Sequence, residues 1–189
     1  MMRAKSRTTY GSTGLDAGMT TDALDAYFAR MRAVLVPLLR KTAEKAPARD
    51  DFPFAQYPVA QQRIFSDYLM DVLGIDRAHC TLGETEHPFT SGLNNRDVRI
   101  TTHYYENNLA SAMYSVIHEG GHALYELGGD DEYQYTVLAG GASMGLHESQ
   151  SRFYENIVGR SEPFIRLIFP KMLEIFPEQL KGVTAHDFY

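Results

Sequence analysis

The stretch SVIHEGGHALYELGG, residues 115–129, sets two histidines four positions apart and places two adjacent glycines between them. Residues at that spacing share one helix face, one turn above the other, so His118 and His122 can direct both imidazoles at a single point. That is the geometry of two ligands to one metal ion. Glu119 sits about 100° round the helix, at the edge of the same point, where it can accept a proton from water without being a ligand. The arrangement is HExxH, in which paired histidines bind zinc and the glutamate serves as general base. Ala110, Met113, Ile117, Gly121 and Leu124 form the apolar stripe of this helix, and the histidines flank it, so partial burial is expected for both. Gly120 and Gly121 each cost roughly 1 kcal/mol relative to alanine in mid-helix. Their absent side chains leave room for a second helix or a substrate backbone.

A catalytic zinc site takes three protein ligands and keeps a fourth position open, so a third donor is required. Cys80 is the soft candidate. Glu148 is the stronger one, because GLHESQSRFYEN, residues 145–156, reads as the next helix after the glycine-rich connection and carries His147 and Glu148 in its first turns. An antiparallel return would turn Glu148 toward the histidines. Its face continues with Ser151, Arg152 and Glu155, with Leu146, Phe153, Ile157 and Val158 expected to supply the packing. A plain solvated face, with Glu148, Arg152 and Glu155 in salt bridges, is the competing reading. His147 is expected to donate to an oxyanion, to orient Glu148 or to support the ligands from behind.

Further out, TDALDAYFARMRAVLVPLLRKTAEKA from Thr21 reads as a long amphipathic helix on Leu24, Phe28, Met31, Leu35 and Leu38, with a kink expected at Pro37. Pro47, Pro53 and Pro58 mark a loop, followed by a helix near Gln61 to Leu73 that Gly74 ends. VRITTHYY, residues 98–105, has β-type residues in partial alternation, which predicts one or two short strands. Asn107 is the expected N-cap of the HExxH helix and Gly128 or Gly129 its C-cap. A helix from about Met144 to Val158 ends at Gly159, and Ser161 caps another that Pro170 interrupts or restarts. Thr184, with Asp187 three residues on, starts a last helix.

The 189 residues are 44% hydrophobic and 22% charged, ordinary globular values that predict a single domain. The net charge of −6 is spread along the chain and no Lys/Arg stripe occurs, which argues against nucleic acid as a partner. No apolar run reaches membrane-spanning length, and no membrane role is expected. One cysteine and the absence of a secretion-type start predict a reducing, cytoplasmic setting. Residues 1–20, basic and hydroxyl-rich, are expected to be poorly ordered.

HEGGHALYE and HESQSRFYEN, together with HPF at 87–89 and DVRITTHYY at 97–105, resemble in content and order the carboxypeptidase Taq family of zinc metallocarboxypeptidases, also called thermostable carboxypeptidase 1. GMTTDALDAYF near the start extends the likeness, while His103 stands where the family usually has arginine. The resemblance implies a mainly α fold, a helical zincin-like core with a small β element, as part of a larger saddle-like structure with a deep groove. It implies His118, His122 and Glu148 as ligands of one Zn2+, with Co2+ or Mn2+ also accepted at such sites, and Glu119 as general base. His87, Asp97 and Arg99 would belong to the wall of the substrate groove, with His147 and Arg152 beside the ligands. The substrate would be a peptide with a free C-terminus, and the family is usually homodimeric. The chain resembles only the middle portion of the family's length, so the expectation is a single partial domain over 1–189, with the carboxylate-anchoring arginine outside it. Two other readings stay open: a metal-binding helical domain without turnover, and an aminopeptidase or endopeptidase using the same site. A closed structural zinc site that includes Cys80 is the third.

Overall fold

In a computed structural model, residues 19–45 and 51–189 are described, and the expectation about the first residues lies almost wholly outside them. Two compact units are present. One holds α1, Thr21–Ala43, and the other holds the described chain from residue 51 onward except Ser143–Gly145.

In α1 the side chain of Thr20 accepts the Ala23 N–H as N-cap, and the helix stays α-helical on both sides of Pro37. None of its residues is buried, and Phe28, Leu35 and Leu38 of the expected apolar face are exposed.

The larger unit is built around one helix. After α2, Val59–Val72, which Gly74 ends with φ +72°, the chain forms β1 (Cys80–Glu84), β2 (Thr90–Asn94) and β3 (Asp97–Thr102). The one or two predicted strands are three, in the order β1-β3-β2. The central β3 pairs in parallel with β1, Cys80 opposite Val98, and antiparallel with β2, Thr90 opposite Ile100. Gly92 and Asn94 mark a bulge in β2. The strands were hard to count from sequence because β1 and β2 are short and mostly exposed, so neither shows clear alternation.

The HExxH helix is α3, Leu109–Leu127. Its N-cap is Asn108, one residue later than expected, whose side chain accepts the Ser111 N–H at 3.1 Å; Gly128 is the C-cap. Met113, Val116, Ile117 and Ala123 of this helix are buried at the centre of the core. They pack in one cluster with Phe65, Leu69 and Met70 of α2, with Val98 and Ile100 of β3, and with α5, Glu162–Ile175. Pro170 does not interrupt α5. Phe164, Ile165, Ile168, Phe169 and Met172 are all buried on its inner face, and their packing holds the helix through the missing N–H. Ser161 caps it as expected, and Thr184 with Asp187 forms a capping box at the short α6, Ala185–Phe188.

Helix α4, Met144–Arg152, continues without a break into a π-helical segment, Phe153–Gly159. Its pairings with α3 run in opposite senses along the two chains: His147 meets Glu126, Ser151 meets Gly121, Glu155 meets His118 and Gly159 meets Ile117. The two helices are therefore antiparallel, as the glycine-rich connection predicted. Leu146, Phe153 and Ile157, expected inside, are exposed, while Ser151, Tyr154 and Val158 lie against the core. For Phe153 and Ile157 the cause is the wider π turn that starts at Phe153 and shifts the phase of the packing face.

Gly121 is where the helices touch. A Cβ there would stand 2.8 Å from Ser151 Cα and 3.2 Å from the Gln150 carbonyl oxygen, both backbone atoms that cannot step aside. A Cβ on Gly120 would instead meet the ends of the Leu73 and Ile75 side chains, at 2.8 and 3.1 Å, which can swing away. Gly121→Ala should therefore lower stability by about 1–3 kcal/mol through overpacking, despite alanine's better helix propensity. Gly120→Ala should cost less. Thermal unfolding of the two variants beside the parent checks this, and equal or reversed effects would contradict the backbone contact.

Candidate metal centre

His118 and His122 project from the face of α3 that looks onto α4, and both side chains are largely buried, at 17% and 16% exposure. Across from them Glu148 Oε2 stands 3.7 Å from His118 Nε2 and 3.5 Å from His122 Nε2. One ligand atom from each of the three residues falls within 4.8 Å of the others, the one such group among the described residues. Two imidazole nitrogens and a carboxylate oxygen suit zinc, and also cobalt or manganese.

The two rings are held from behind. His118 Nδ1 lies 2.9 Å from Glu155 Oε2, so its N–H donates there and the Nε2 lone pair is left facing Glu148. His122 Nδ1 lies 2.6 Å from His147 Nδ1, and His147 Nε2 lies 2.6 Å from Glu126 Oε1. His147 thus serves His122. The contacts of its ring are with His122, Glu126 and Tyr125, on the side away from the Glu148 carboxylate's arginine partner. The reason is its place one turn before the point of closest approach, where it reaches past His122 to the end of α3.

Arg152 orients Glu148. Its Nε donates to Glu148 Oε1 at 2.7 Å and its Nη1 to Glu155 Oε2 at 3.0 Å, while Arg160 Nη2 donates to Glu155 Oε1 at 3.0 Å. Burial alone would raise the Glu148 carboxyl, but the Arg152 hydrogen bond and the charges of His118, Arg152 and His122 bring it below its ordinary value. The salt-bridged face and the histidine-facing carboxylate are therefore the same residues, because Oε1 serves the arginine and Oε2 the histidines. His122 is pushed down to about 4, first by burial and then by His147 and His118, so it is neutral with a lone pair free at neutral pH.

Glu119 is buried, 7% exposed, and its carboxyl is raised by burial, opposed by a hydrogen bond from Thr90 and the charge of His118. Thr90 Oγ1 stands 2.6 Å from Glu119 Oε2 and 3.2 Å from its carbonyl oxygen. That fixes one oxygen and leaves Oε1 for a proton. Thr90 directly follows the HPF segment, and sequence reasoning missed it, since a threonine opening an exposed strand has no distinguishing pattern. Glu155 was visible only as a polar position on the Glu148 face.

Other expected residues stand elsewhere. His87 is exposed, and its carbonyl accepts the Thr85 hydroxyl at 2.7 Å. Asp97 and Arg99 form a two-pronged ion pair with each other on the exposed side of β3, at 2.9 Å for each bond. His103 rests its Nδ1 3.0 Å from the Thr85 carbonyl oxygen. Cys80 is buried in the core, 1% exposed, with its thiol raised by burial to about 11, and it lies outside the ligand group, which removes the geometric basis for a closed site containing it. A cleft of about 440 Å3 opens beside His118 and Glu119, lined also by Asn108, Tyr114, Glu155 and Arg160.

The family model described as carboxypeptidase Taq (M32) metallopeptidase matches residues 13–189. Carboxypeptidase 1 of Bacillus subtilis is 39% identical over 174 residues, covering 92% of this chain and 35% of its own length. Thermostable carboxypeptidase 1 of Pyrococcus furiosus is 37% identical, with 92% and 35% covered. The crystal structure of the M32 carboxypeptidase from Deinococcus radiodurans superposes with a TM-score of 0.90 at 42% identity, over 96% of this chain and 36% of that one. The chain thus spans about a third of the length of the relatives it matches. With its HExxH helix, its downstream glutamate and these likenesses along nearly its whole length, the chain belongs to the carboxypeptidase Taq (M32) metallopeptidase family.

Proposed function

We propose that this chain carries the metal-binding core of a metallocarboxypeptidase, a peptidase that removes C-terminal amino acids from peptides. His118, His122 and Glu148 would hold one Zn2+, with Co2+ or Mn2+ as substitutes. The observation that carries the reading is the convergence of Nε2, Nε2 and Oε2 on one point beside a buried glutamate. When bound, the cation would polarise the scissile carbonyl and lower the pKa of a bound water to about 7.

The chain's own residues do the rest. Glu119, raised by its burial, takes the water's proton on Oε1 while Thr90 holds Oε2, and the same oxygen returns the proton to the leaving amine. Arg152 and Glu155 keep Glu148 and His118 in the orientation that leaves their ligand atoms free. The cleft beside Glu119 is wide enough for a peptide segment. His87, Asp97 and Arg99 would act at the groove wall, away from the reacting atoms. The same proposal includes a single partial domain, a cytoplasmic setting and a homodimer; no described helix is long and apolar enough to cross a membrane.

Coverage of about a third of each relative favours a second reading, in which this chain binds metal but completes no turnover by itself. One experiment separates them: metal content by mass spectrometry, with hydrolysis of an N-blocked dipeptide assayed on the same samples. About one zinc per chain, lost in Glu148→Gln, is expected under both. Hydrolysis that falls about 100- to 10,000-fold in Glu119→Gln, with zinc retained, supports the peptidase. Zinc without hydrolysis supports the second reading, and no zinc in the parent contradicts both.

Acidity gives an independent check on the metal-free chain. His122 has a folded value of about 4 against 6.5 in the unfolded chain, so the unfolded state binds the extra proton first. Its contribution to stability is full above pH 6.5 and is lost as the pH falls toward 4. The melting temperature should fall less steeply across that window in His122→Gln than in the parent. Identical slopes would contradict a buried, neutral His122.

A further inference from the structure

Behind His122 lies a chain of contacts that the metal-centre proposal does not use. His122 Nδ1, His147 Nδ1, His147 Nε2 and Glu126 Oε1 succeed one another at 2.6 Å for each hydrogen bond, and the three side chains are only 16%, 16% and 21% exposed. The surroundings are shaped to admit them. A Cβ on Gly141 would stand 2.7 Å from His147 Cδ2 and 2.8 Å from Tyr125 Cε1, so only a glycine lets that loop close over the ring. A Cβ on Gly92 would stand 3.1 Å from Glu126 Oε2, so β2 also comes down on the carboxylate through a bare backbone. The Tyr125 ring meets His147 edge-on, 5.0 Å between centroids, and its hydroxyl accepts the Ala142 N–H at 3.3 Å, tying the loop to the helix.

Hydrogen-bond logic gives this chain a direction. A carboxylate only accepts, so His147 carries its proton on Nε2 and donates it to Glu126. With that hydrogen on Nε2, the Nδ1 lone pair of His147 accepts, and the hydrogen that His122 donates to it sits on His122 Nδ1. The Nε2 lone pair of His122 is thereby left facing Glu148. Were His147 protonated on both nitrogens, His122 would be pushed into the opposite tautomer, with a hydrogen on the atom that faces the metal position.

We infer that Glu126 and His147 are positioning residues, acting in series through His122 to fix its tautomer and ring for metal binding. The inference rests on the metal-centre reading for its consequence, but not for its geometry. His118 is held by Glu155 directly, whereas His122 is held by a carboxylate one imidazole further away. In both cases the second ring nitrogen faces a group outside the ligand set, Glu155 for His118 and His147 for His122, with His147 standing between His122 and the Glu126 carboxylate.

Two measurements test it. The first uses no metal: long-range 15N–1H correlation spectra of the histidine rings at pH 8, on the parent, Glu126→Leu and Glu126→Gln. The parent should show His122 protonated on Nδ1 and His147 on Nε2. Glu126→Leu should return both to tautomer mixtures, and Glu126→Gln, whose amide oxygen can still accept, should restore them. The second is zinc affinity by chelator competition. Glu126→Leu and His147→Phe should each weaken zinc about 10- to 100-fold, and the double variant should be no weaker than His147→Phe alone, because residues in series are not additive. Unchanged tautomers in Glu126→Leu, a doubly protonated His147 in the parent, or additive affinity losses would each overturn the inference. Tautomers as stated in a parent that binds no zinc would uphold the chain and defeat the metal-centre reading instead. Equal melting temperatures of the metal-free variants exclude misfolding as the cause of an affinity loss.

Discussion

The contact between the α3 backbone at Gly121 and the α4 backbone at Ser151 is the constraint from which the candidate centre follows. A histidine pair on one helix defines two ligand directions, and a third ligand must come from another element at a separation set to within fractions of an ångström. With a methyl group interposed, α4 would stand further from α3, and Glu148 Oε2 would leave the range in which it lies 3.5–3.7 Å from both Nε2 atoms. The glycine's helix-propensity cost, about 1 kcal/mol, is offset by the packing it allows. Ser151 completes the seam: fully buried, its hydroxyl donates to the Glu148 carbonyl oxygen at 2.8 Å and so needs no partner on α3.

Charge is arranged so that each carboxylate beside the histidines has a hydrogen-bond partner. Glu155, with 12% of its side chain exposed, receives hydrogen bonds from His118, Arg152 and Arg160, and Glu148 receives one from Arg152. An unpartnered carboxylate at that depth would take up a proton rather than stay charged. Arg152 serves both acids from a half-exposed position, so it can neutralise Glu148 Oε1 without blocking the Oε2 side. Glu119 has no arginine. Burial raises it, and only Thr90 and the neighbouring histidine hold it down.

The parts most easily read from sequence were those in which spacing alone carries the chemistry. The HExxH helix, its partial burial and the glycine seam follow from residues on one element, where a 3.6-residue period converts order into direction. The antiparallel return and Glu148 followed from the length and composition of one connection. The reading failed past Arg152, where a π-helical segment broke the period that had placed Phe153 and Ile157 inside, and at Pro170, where burial of the helix's apolar side chains outweighed a lost hydrogen bond. Thr90 and the role of Glu126 were out of reach, because each acts across elements with no periodic relation between them.

By itself, then, the sequence determined a helical protein with an HExxH helix, a downstream acid on a second helix, and four motifs in the order of one metallopeptidase family. Local patterns suffice for this, since each depends on residues a few positions apart. Only the tertiary structure decided which oxygen of Glu148 faces the histidines, that Thr90, just after the HPF segment, rather than His87 within it, reaches Glu119, that Glu155 and His147 stand behind the two rings, and that Cys80 lies outside the ligand group. Those facts depend on where separate elements come to rest against one core. That position is set by the summed packing of many side chains and not by any pattern along the chain.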